Sequence, residues 1–412
     1  MAHTAGMNHI AIVGASLAGL RASETLRAEG FNGDITVITA EEQTFYDRPP
    51  LSKKLLAGEW EPDRIALRKA DNIDALQLTM RTGVAATGLD TVSRTLQLSD
   101  ETTVSFDGLI IATGGVVRTL SNQPDIKGVH TLRTLSDAMA LREQLVPGAR
   151  LVVIGAGFIG LEVAATARTR GADVTVLEGL ASPLIRALGA QMGAAVASVH
   201  ERNGVIVRCG VQVQRIVGDI SVTGVELGDG EIVAADVVLV GIGVAPATQW
   251  LESSSLTLRD GVVCDDTLNV GVSAIYAAGD VARWPNALFA DVEPDMRVEH
   301  WTNAAEQGAV AAKNLLMVHA GEQPTPYAAV PFFWSDQFDS RVAFLGRARA
   351  DSVVDVIAGD LDSKFCAIYS TNDRLTAVLG VSMPKLVMPA RALLQQTTSR
   401  AEALTHFQAA LT

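Results

Sequence analysis

The hydrophobic and polar positions of this chain alternate in long blocks, and two of those blocks follow the same plan. "HIAIVGASLAGLRASETLRAEGFNGDITVITAEE" (residues 9–42) reads as an apolar strand, a turn of small residues, an alanine-rich helix, a glycine, a second apolar strand and then acids. "RLVVIGAGFIGLEVAATARTRGADVTVLEG" (residues 150–179) repeats that order. Two shorter apolar runs also end in small residues. "LIIATGG" (residues 109–115) is a buried strand closing on Thr113 and Gly114, and "IYAAGDVAR" (residues 275–283) is another closing on Gly279 and Asp280. Toward the end of the chain, "GEQPTPYAAVP" is a proline-rich break. After it "RVAFLG", "KFCAIYS" and "LTAVLGVSM" read as short strands, and the tail from Pro389 reads as helix.

The turns give the blocks their chemistry. Residues Gly155, Gly157 and Gly160 form a full G-x-G-x-x-G, and Glu178 ends the following strand. In such a turn the first glycine permits the tight bend, the second lets the backbone approach a pyrophosphate, and the third lets helix and strand pack closely. The helix N-terminus presents its unpaired N–H groups to the phosphates, and the acid accepts hydrogen bonds from ribose hydroxyls. The residues after Glu178, "GLASPLI", are small and apolar, and the first base is Arg186, so NAD is favoured over NADP. In the first block the middle glycine is Ser16, between Gly14 and Gly19. Serine is small and keeps an N–H in the turn, so a phosphate site survives with slightly less room. Asp280 has two readings: an acceptor for a ribityl or similar polyol chain, or the N-cap of the turn that follows it.

Composition narrows the classes. Across 412 residues, 48% are hydrophobic and only 5% aromatic, which suits two or three α/β domains with parallel strands buried on both faces. The formal charge of −13 argues against nucleic acid as a general partner. The apolar opening runs into Arg21 after about ten residues, too short for a membrane span, so a soluble cytoplasmic protein is expected. Cys209, Cys264 and Cys366 are widely spaced and form no C-x-x-C pair. Neither a disulfide framework nor an iron–sulfur cluster held by this chain is expected, and no metal site is anticipated.

Taken together, the two dinucleotide motifs, the intervening A-T-G and the late G-D resemble the two-dinucleotide-fold flavoprotein reductases. "FYDRPPLSKKLLAGEW", "TLRTLSDAMALREQL", "GIGVAPAT", "VEHWTNAAEQG" and "VPFFWSDQF" narrow the resemblance to the FAD-dependent NADH:ferredoxin reductases of bacterial oxygenase systems, over essentially the whole chain. The resemblance implies an α/β, glutathione-reductase-like fold with two Rossmann-like domains and a C-terminal α+β interface domain. The FAD domain would span residues 1–115 and 246–325, the NAD domain residues 116–245, and the interface domain residues 326–412.

By the same resemblance Gly14, Ser16, Ala18 and Gly19 hold the FAD pyrophosphate and Glu41 meets the adenosine ribose. Many relatives place that acid one residue earlier, where this chain has Ala40. Arg48 and Lys53 lie near the phosphates and the flavin ring. Val84, Thr113, Gly114 and Arg133 are further FAD contacts, Asp280 meets the ribityl-phosphate region and Trp301 sits beside the isoalloxazine. For NAD the matching residues are Gly155, Gly157, Phe158, Ile159, Gly160, Glu178 and Arg186, with Gly241 and Gly243 lining the nicotinamide approach. Lys53, near flavin N5, pairs with Glu162. On the residues alone, Lys53 reads equally as a solvated helix start, Glu162 as an exposed helical acid, and Trp301 and Trp334 as core aromatics. His300 reads as a hydrogen-bonded structural residue.

The chemistry implied is hydride transfer from NADH to FAD, then single electrons to a [2Fe–2S] ferredoxin that feeds a cytochrome P450 or a ring-hydroxylating dioxygenase. With no cysteine before residue 209, dithiol activities of the glutathione-, lipoamide- and thioredoxin-reductase kinds are not expected. Rubredoxin is an alternative acceptor. An apoptosis-inducing-factor-like flavoprotein acting by partner binding is an alternative class. A ferredoxin is itself acidic, so a local basic surface is expected, with Arg297, Arg341 and Lys364 as candidates. A monomer, or a weak homo-oligomer, is the expected state.

Overall fold

In the computed structural model, which describes residues 6–411, each of the two repeated blocks builds its own five-stranded parallel sheet. The first block supplies strand β1 (His9–Val13), helix α1 (Leu17–Ala28) and strand β2 (Asp34–Ile38). The second supplies strand β3 (Arg150–Ile154), helix α2 (Phe158–Thr169) and strand β4 (Asp173–Glu178). By spatial clustering the chain divides into two units. One holds residues 6–47, 66–116 and 245–331; the other holds residues 48–65, 117–244 and 332–411.

In the first unit the strand order is Ile275–Ala277, Gly108–Ile111, β1, β2, Leu78–Arg81. Strand β1 is central, and its Ile10, Ala11 and Ile12 are fully buried, as expected where both faces of a parallel sheet are covered. Helix α1 packs on the long helix Trp301–His319. A Cβ at Gly308 would stand 2.3 Å from the Ala18 carbonyl oxygen, so only glycine allows the two helices to come this close. A three-stranded antiparallel sheet (Ala86–Asp90, Thr95–Leu98, Thr103–Ser105) precedes the fourth parallel strand.

The second unit has a similar layout. Its parallel order is Ile206–Cys209, β4, β3, Val237–Val240, Val129–His130, and a three-stranded antiparallel sheet (Val213–Gly218, Val222–Leu227, Ile232–Ala234) again interrupts the run of parallel strands, here just before the fifth in chain order, Val237–Val240. The C-terminal segment adds a five-stranded antiparallel sheet in the order Phe332–Gln337, Ser340–Gly346, Arg374–Val381, Phe365–Thr371, Val353–Gly359. Two of these strands, Phe332–Gln337 and Val353–Gly359, go beyond the three read from the sequence. The tail is helical but broken: Arg391–Gln395 and Arg400–Leu411 are separate helices, with a left-handed Thr397 between them. Among the described residues no helix is long and apolar enough to cross a membrane, and no cluster of His, Cys, Asp and Glu could hold a metal.

Candidate functional site

The two turns between strand and helix are built alike. Gly14 N–H donates to the Ile38 carbonyl and Gly155 N–H to the Leu177 carbonyl, both at 2.8 Å, which bends the chain over the end of the neighbouring strand. Their φ angles of +122° and +102° lie in the region that side chains avoid. A Cβ would also stand 2.1 Å from the Ala112 oxygen at Gly14 and 2.5 Å from the Gly241 oxygen at Gly155. At the third position, a Cβ at Gly19 or Gly160 would strike the carbonyl oxygen of Gly14 or Gly155. The middle position differs. Gly157 is the N-cap of α2 with φ −78° and ψ 176°, and Ser16 is the N-cap of α1 with φ −110° and ψ −161°. Both are ordinary extended backbone, so serine stands at 16 without strain.

What could fill these turns follows from the space around them. A Cβ added at Gly157 would meet nothing within 4 Å, and the same holds at Gly243. The N-terminus of α2 therefore opens onto free volume, with backbone donors aimed outward, as a pyrophosphate requires. The residues fit a dinucleotide. Glu178 is engaged with the turn itself: its Oε2 accepts from Ala156 N–H at 2.8 Å and its Oε1 from Leu180 N–H at 2.9 Å, so the acid fixes the loop. Phe158 and Ile159 open the helix, with Ile159 exposed. Arg186 is exposed in the short helix Ile185–Leu188.

Around the first turn, Glu41 accepts a hydrogen bond from the Tyr46 hydroxyl. Val84 N–H donates to Thr39 O at 2.9 Å and Gly83 N–H to Glu41 O at 3.2 Å, so Val84 and Glu41 share the end of β2. Thr113 Oγ1 donates to the Ala247 carbonyl at 3.0 Å, and Gly114 O accepts from Ala247 N–H at 2.9 Å. Asp280 is not an N-cap: it lies inside the 3₁₀ turn Gly279–Val281, whose cap residue is Ala278. Gly279 N–H is held by Gln307 Oε1 of the long helix at 2.8 Å. Trp301 opens that helix, next to the cap residue His300. Its indole donates to Asp47 Oδ1 at 2.8 Å, and at 38% exposure it is not a core aromatic.

The second unit contains Arg48, Lys53 and Arg133. A capping box orders the last of these: Thr134 Oγ1 accepts from Asp137 N–H at 3.1 Å, while Asp137 Oδ2 accepts from the N–H groups of Thr134 and Arg133, each at 2.9 Å. The Arg48 guanidinium then donates to the Arg133 carbonyl.

Lys53 and Glu162 are brought together, the acid buried and the lysine half-buried. Lys53 Nζ lies 2.7 Å from Glu162 Oε2, and Glu162 is 5% exposed in the middle of α2, which removes the exposed-acid reading. Ser52 donates to the same Oε2, and Ser335 Oγ donates to Oε1 at 2.6 Å. Thr166, one turn further along α2, donates to Ser52 O at 2.8 Å and anchors the loop that carries Lys53. A carboxylate in this position needs such donors to offset the loss of water.

Sequence reasoning missed Ser335 and its neighbours Gln337 and His200. The available signal was period-two alternation in Phe332–Gln337, which puts Ser335 and Gln337 on one face; both are about 1% exposed. Trp334, on the other face, is half-buried against Phe332, with ring centroids 6.0 Å apart. Of the basic candidates, Arg297 is ion-paired with Asp260 and Glu299, and Arg341 with Asp336, while Lys364 is exposed.

Comparison with known proteins agrees with this geometry. Residues 8–308 match the pyridine nucleotide-disulphide oxidoreductase family and residues 332–410 the reductase C-terminal family. Rhodocoxin reductase of Rhodococcus erythropolis is 36% identical over 93% of this chain and 89% of its own length. The biphenyl dioxygenase system ferredoxin–NAD(+) reductase component of Paraburkholderia xenovorans is 36% identical over 86% and 84%. The reductase in the covalent putidaredoxin reductase–putidaredoxin complex superposes with a TM-score of 0.90, 31% identity and 98% coverage of both chains. On duplicated turn, sheet order and sequence alike, this chain belongs to the pyridine nucleotide-disulphide oxidoreductase family, among the ferredoxin–NAD(+) reductases that end in the reductase C-terminal domain.

Proposed function

We propose that this protein takes a hydride from NADH and passes electrons one at a time to a [2Fe–2S] ferredoxin serving a cytochrome P450 or a ring-hydroxylating dioxygenase. FAD and NAD(H) are the cofactors of its family. The flavin supplies the two-electron to one-electron conversion, because nicotinamide donates electrons in pairs and the iron–sulfur centre takes them singly.

The observation that carries the reading is the duplicated glycine turn, one copy with serine and one with glycine at an N-cap whose conformation suits both. In this reading the first turn (Gly14, Ser16, Ala18, Gly19) orients the FAD pyrophosphate. Glu41 and Val84 border the adenosine, Arg48 and Arg133 lie toward the phosphates, and Thr113, Gly114, Asp280 and Trp301 border the flavin half. The second turn (Gly155, Gly157, Phe158, Ile159, Gly160) orients NADH, with Glu178 and Arg186 at the adenosine end and Gly241 and Gly243 at the nicotinamide end. Lys53 supplies a cation that favours the charge arriving on reduction, and Glu162 moderates it. No side chain has to move a proton for the hydride step, so the roster of catalytic residues is short. In this reading the enzyme acts in the cytoplasm, as a monomer or a weak homo-oligomer.

The test is NADH-driven cytochrome c reduction by the purified protein with and without a [2Fe–2S] ferredoxin. Strong dependence on the ferredoxin is expected. Equal rates with and without it, while NADH still bleaches the flavin, would overturn the ferredoxin role and direct the search to rubredoxin.

A further inference from the structure

The Lys53–Glu162 pair is the end of a longer polar chain. Ser335 Oγ, 2.6 Å from Glu162 Oε1, accepts from Gln337 Nε2 at 3.0 Å, and Gln337 Oε1 lies 2.8 Å from His200 Nε2. All four of these residues are buried, His200 completely. The direction of every bond follows from one end. A carboxylate only accepts, so the single Ser335 hydrogen points at Glu162 and the serine oxygen must accept from the Gln337 amide. The amide's remaining atom toward His200 is its carbonyl oxygen, so His200 carries its proton on Nε2 and donates. His200 Nδ1 is left as a bare acceptor, buried without a hydrogen-bond partner among the described residues, and the ring packs edge-on to Phe338. Burial lowers the His200 pKa, which keeps the imidazole neutral.

Every donor in this chain therefore points the same way, toward Glu162. Hydrogen bonds aligned in series polarise one another and draw negative charge toward the far end of the carboxylate. Stability alone does not ask for this arrangement, since an apolar cluster would fill the same space without buried polar groups to satisfy.

We propose that Ser335, Gln337 and His200 are positioning residues that draw charge from Glu162, leave Lys53 less neutralised, and so raise the reduction potential of the bound flavin. The proposal rests on the reading that Lys53 acts on the flavin. It assigns to the C-terminal strand Phe332–Gln337 a part in setting the electron energy level.

The test is a dye-equilibrated spectroelectrochemical titration of the FAD-loaded enzyme. Ser335→Ala and Gln337→Met should each lower the equilibrium constant for two-electron reduction by about three- to tenfold, tenfold being about 30 mV. Ser335→Thr, which keeps the hydroxyl, should return the wild-type potential. Ser335→Cys, a weak donor of similar size, should fall between them and serves if the alanine variant loses its flavin. Lys53→Gln should shift the potential by itself and abolish the effect of Ser335→Ala. Wild-type potentials in the Ser335 and Gln337 variants, with a shifted Lys53→Gln, overturn the proposal and leave the role of Lys53 intact. An unshifted Lys53→Gln overturns that role and the proposal with it. A Ser335→Ala effect that persists in the Lys53→Gln background also overturns the proposal, because it would not pass through Lys53.

Discussion

Replacing Gly157 by alanine separates ligand binding from folding more cleanly than any other change in the two turns. The added Cβ meets no protein atom within 4 Å, and the backbone at φ −78° accepts any residue. Two small effects on stability oppose each other. Alanine is a poorer N-cap than glycine by roughly 0.5 kcal/mol, and it restricts the unfolded chain in the folded state's favour by about 0.4–1 kcal/mol. The net change should stay within about 0.5 kcal/mol, or roughly 1–2 °C in Tm. The methyl does enter the volume in which the pyrophosphate would approach the backbone. Losing or lengthening one charge-assisted hydrogen bond costs about 1.5–3 kcal/mol, so KM for NADH should rise about 10- to 100-fold. The assay is NADH oxidation with ferricyanide as acceptor, alongside thermal unfolding. Gly160→Ala is the contrast: its Cβ would lie 2.4 Å from the Gly155 oxygen and 3.2 Å from Val153 Cγ1, and it should destabilise by about 1–3 kcal/mol. A Gly157→Ala protein with a lowered Tm and an unchanged KM would refute the reasoning, because the position would then face protein and not ligand.

Other outcomes are expected from the same structure. Glu162→Leu strands the Lys53 ammonium and two serine hydroxyls, and should cost about 2–4 kcal/mol in urea unfolding, much of it regained in the Lys53→Met/Glu162→Leu double variant. Asp236 is held at a pKa of about 2, chiefly by hydrogen bonds from Arg150. A carboxyl lowered on folding contributes stability above its unfolded value of 3.8, and that contribution is lost as pH falls from about 4 to 2. The side chains of Asp236 and Arg150 are 47% and 50% exposed, so the amount is that of a surface pair, about 1 kcal/mol or less; Asp236→Asn should flatten the unfolding curve in that window. Burial pushes the Cys264 and Cys366 thiols up to about 12. A thiol-reactive dye should therefore label them only after denaturation, and a Cys209→Ala variant should keep its NADH–ferredoxin turnover.

The turns were legible in the sequence because their demands are local. Gly14 and Gly155 are fixed by their positive φ angles and Gly19 and Gly160 by the carbonyls of those same glycines, and the strand–helix–strand periodicity around them is strong. Pairing between distant segments was not legible in the residues themselves, and the Lys53–Glu162 pair came only from the family resemblance. Glu162 looks like any helical acid until the loop carrying Ser52 and Lys53 and the strand carrying Ser335 are folded against α2. The strand Val353–Gly359 escaped notice because it is an edge strand whose alternation is interrupted by a bulge between Val356 and Ala358. Arg297 reads as a surface charge in the sequence, whereas two acids enclose it in the fold.

The interleaving of the two units also orders events during synthesis. The parallel sheet of the second unit lies wholly between Val129 and Val240, so all its strands leave the ribosome together. The sheet begun at His9 lacks an edge strand until Ile275–Ala277 emerges, and its helix α1 lacks a partner until Trp301–His319 follows. Of the two parallel sheets, the first to begin is thus the later to finish, and a nascent chain stopped near residue 260 holds one completed parallel sheet and one still open and apolar at an edge, a species suited to chaperone capture.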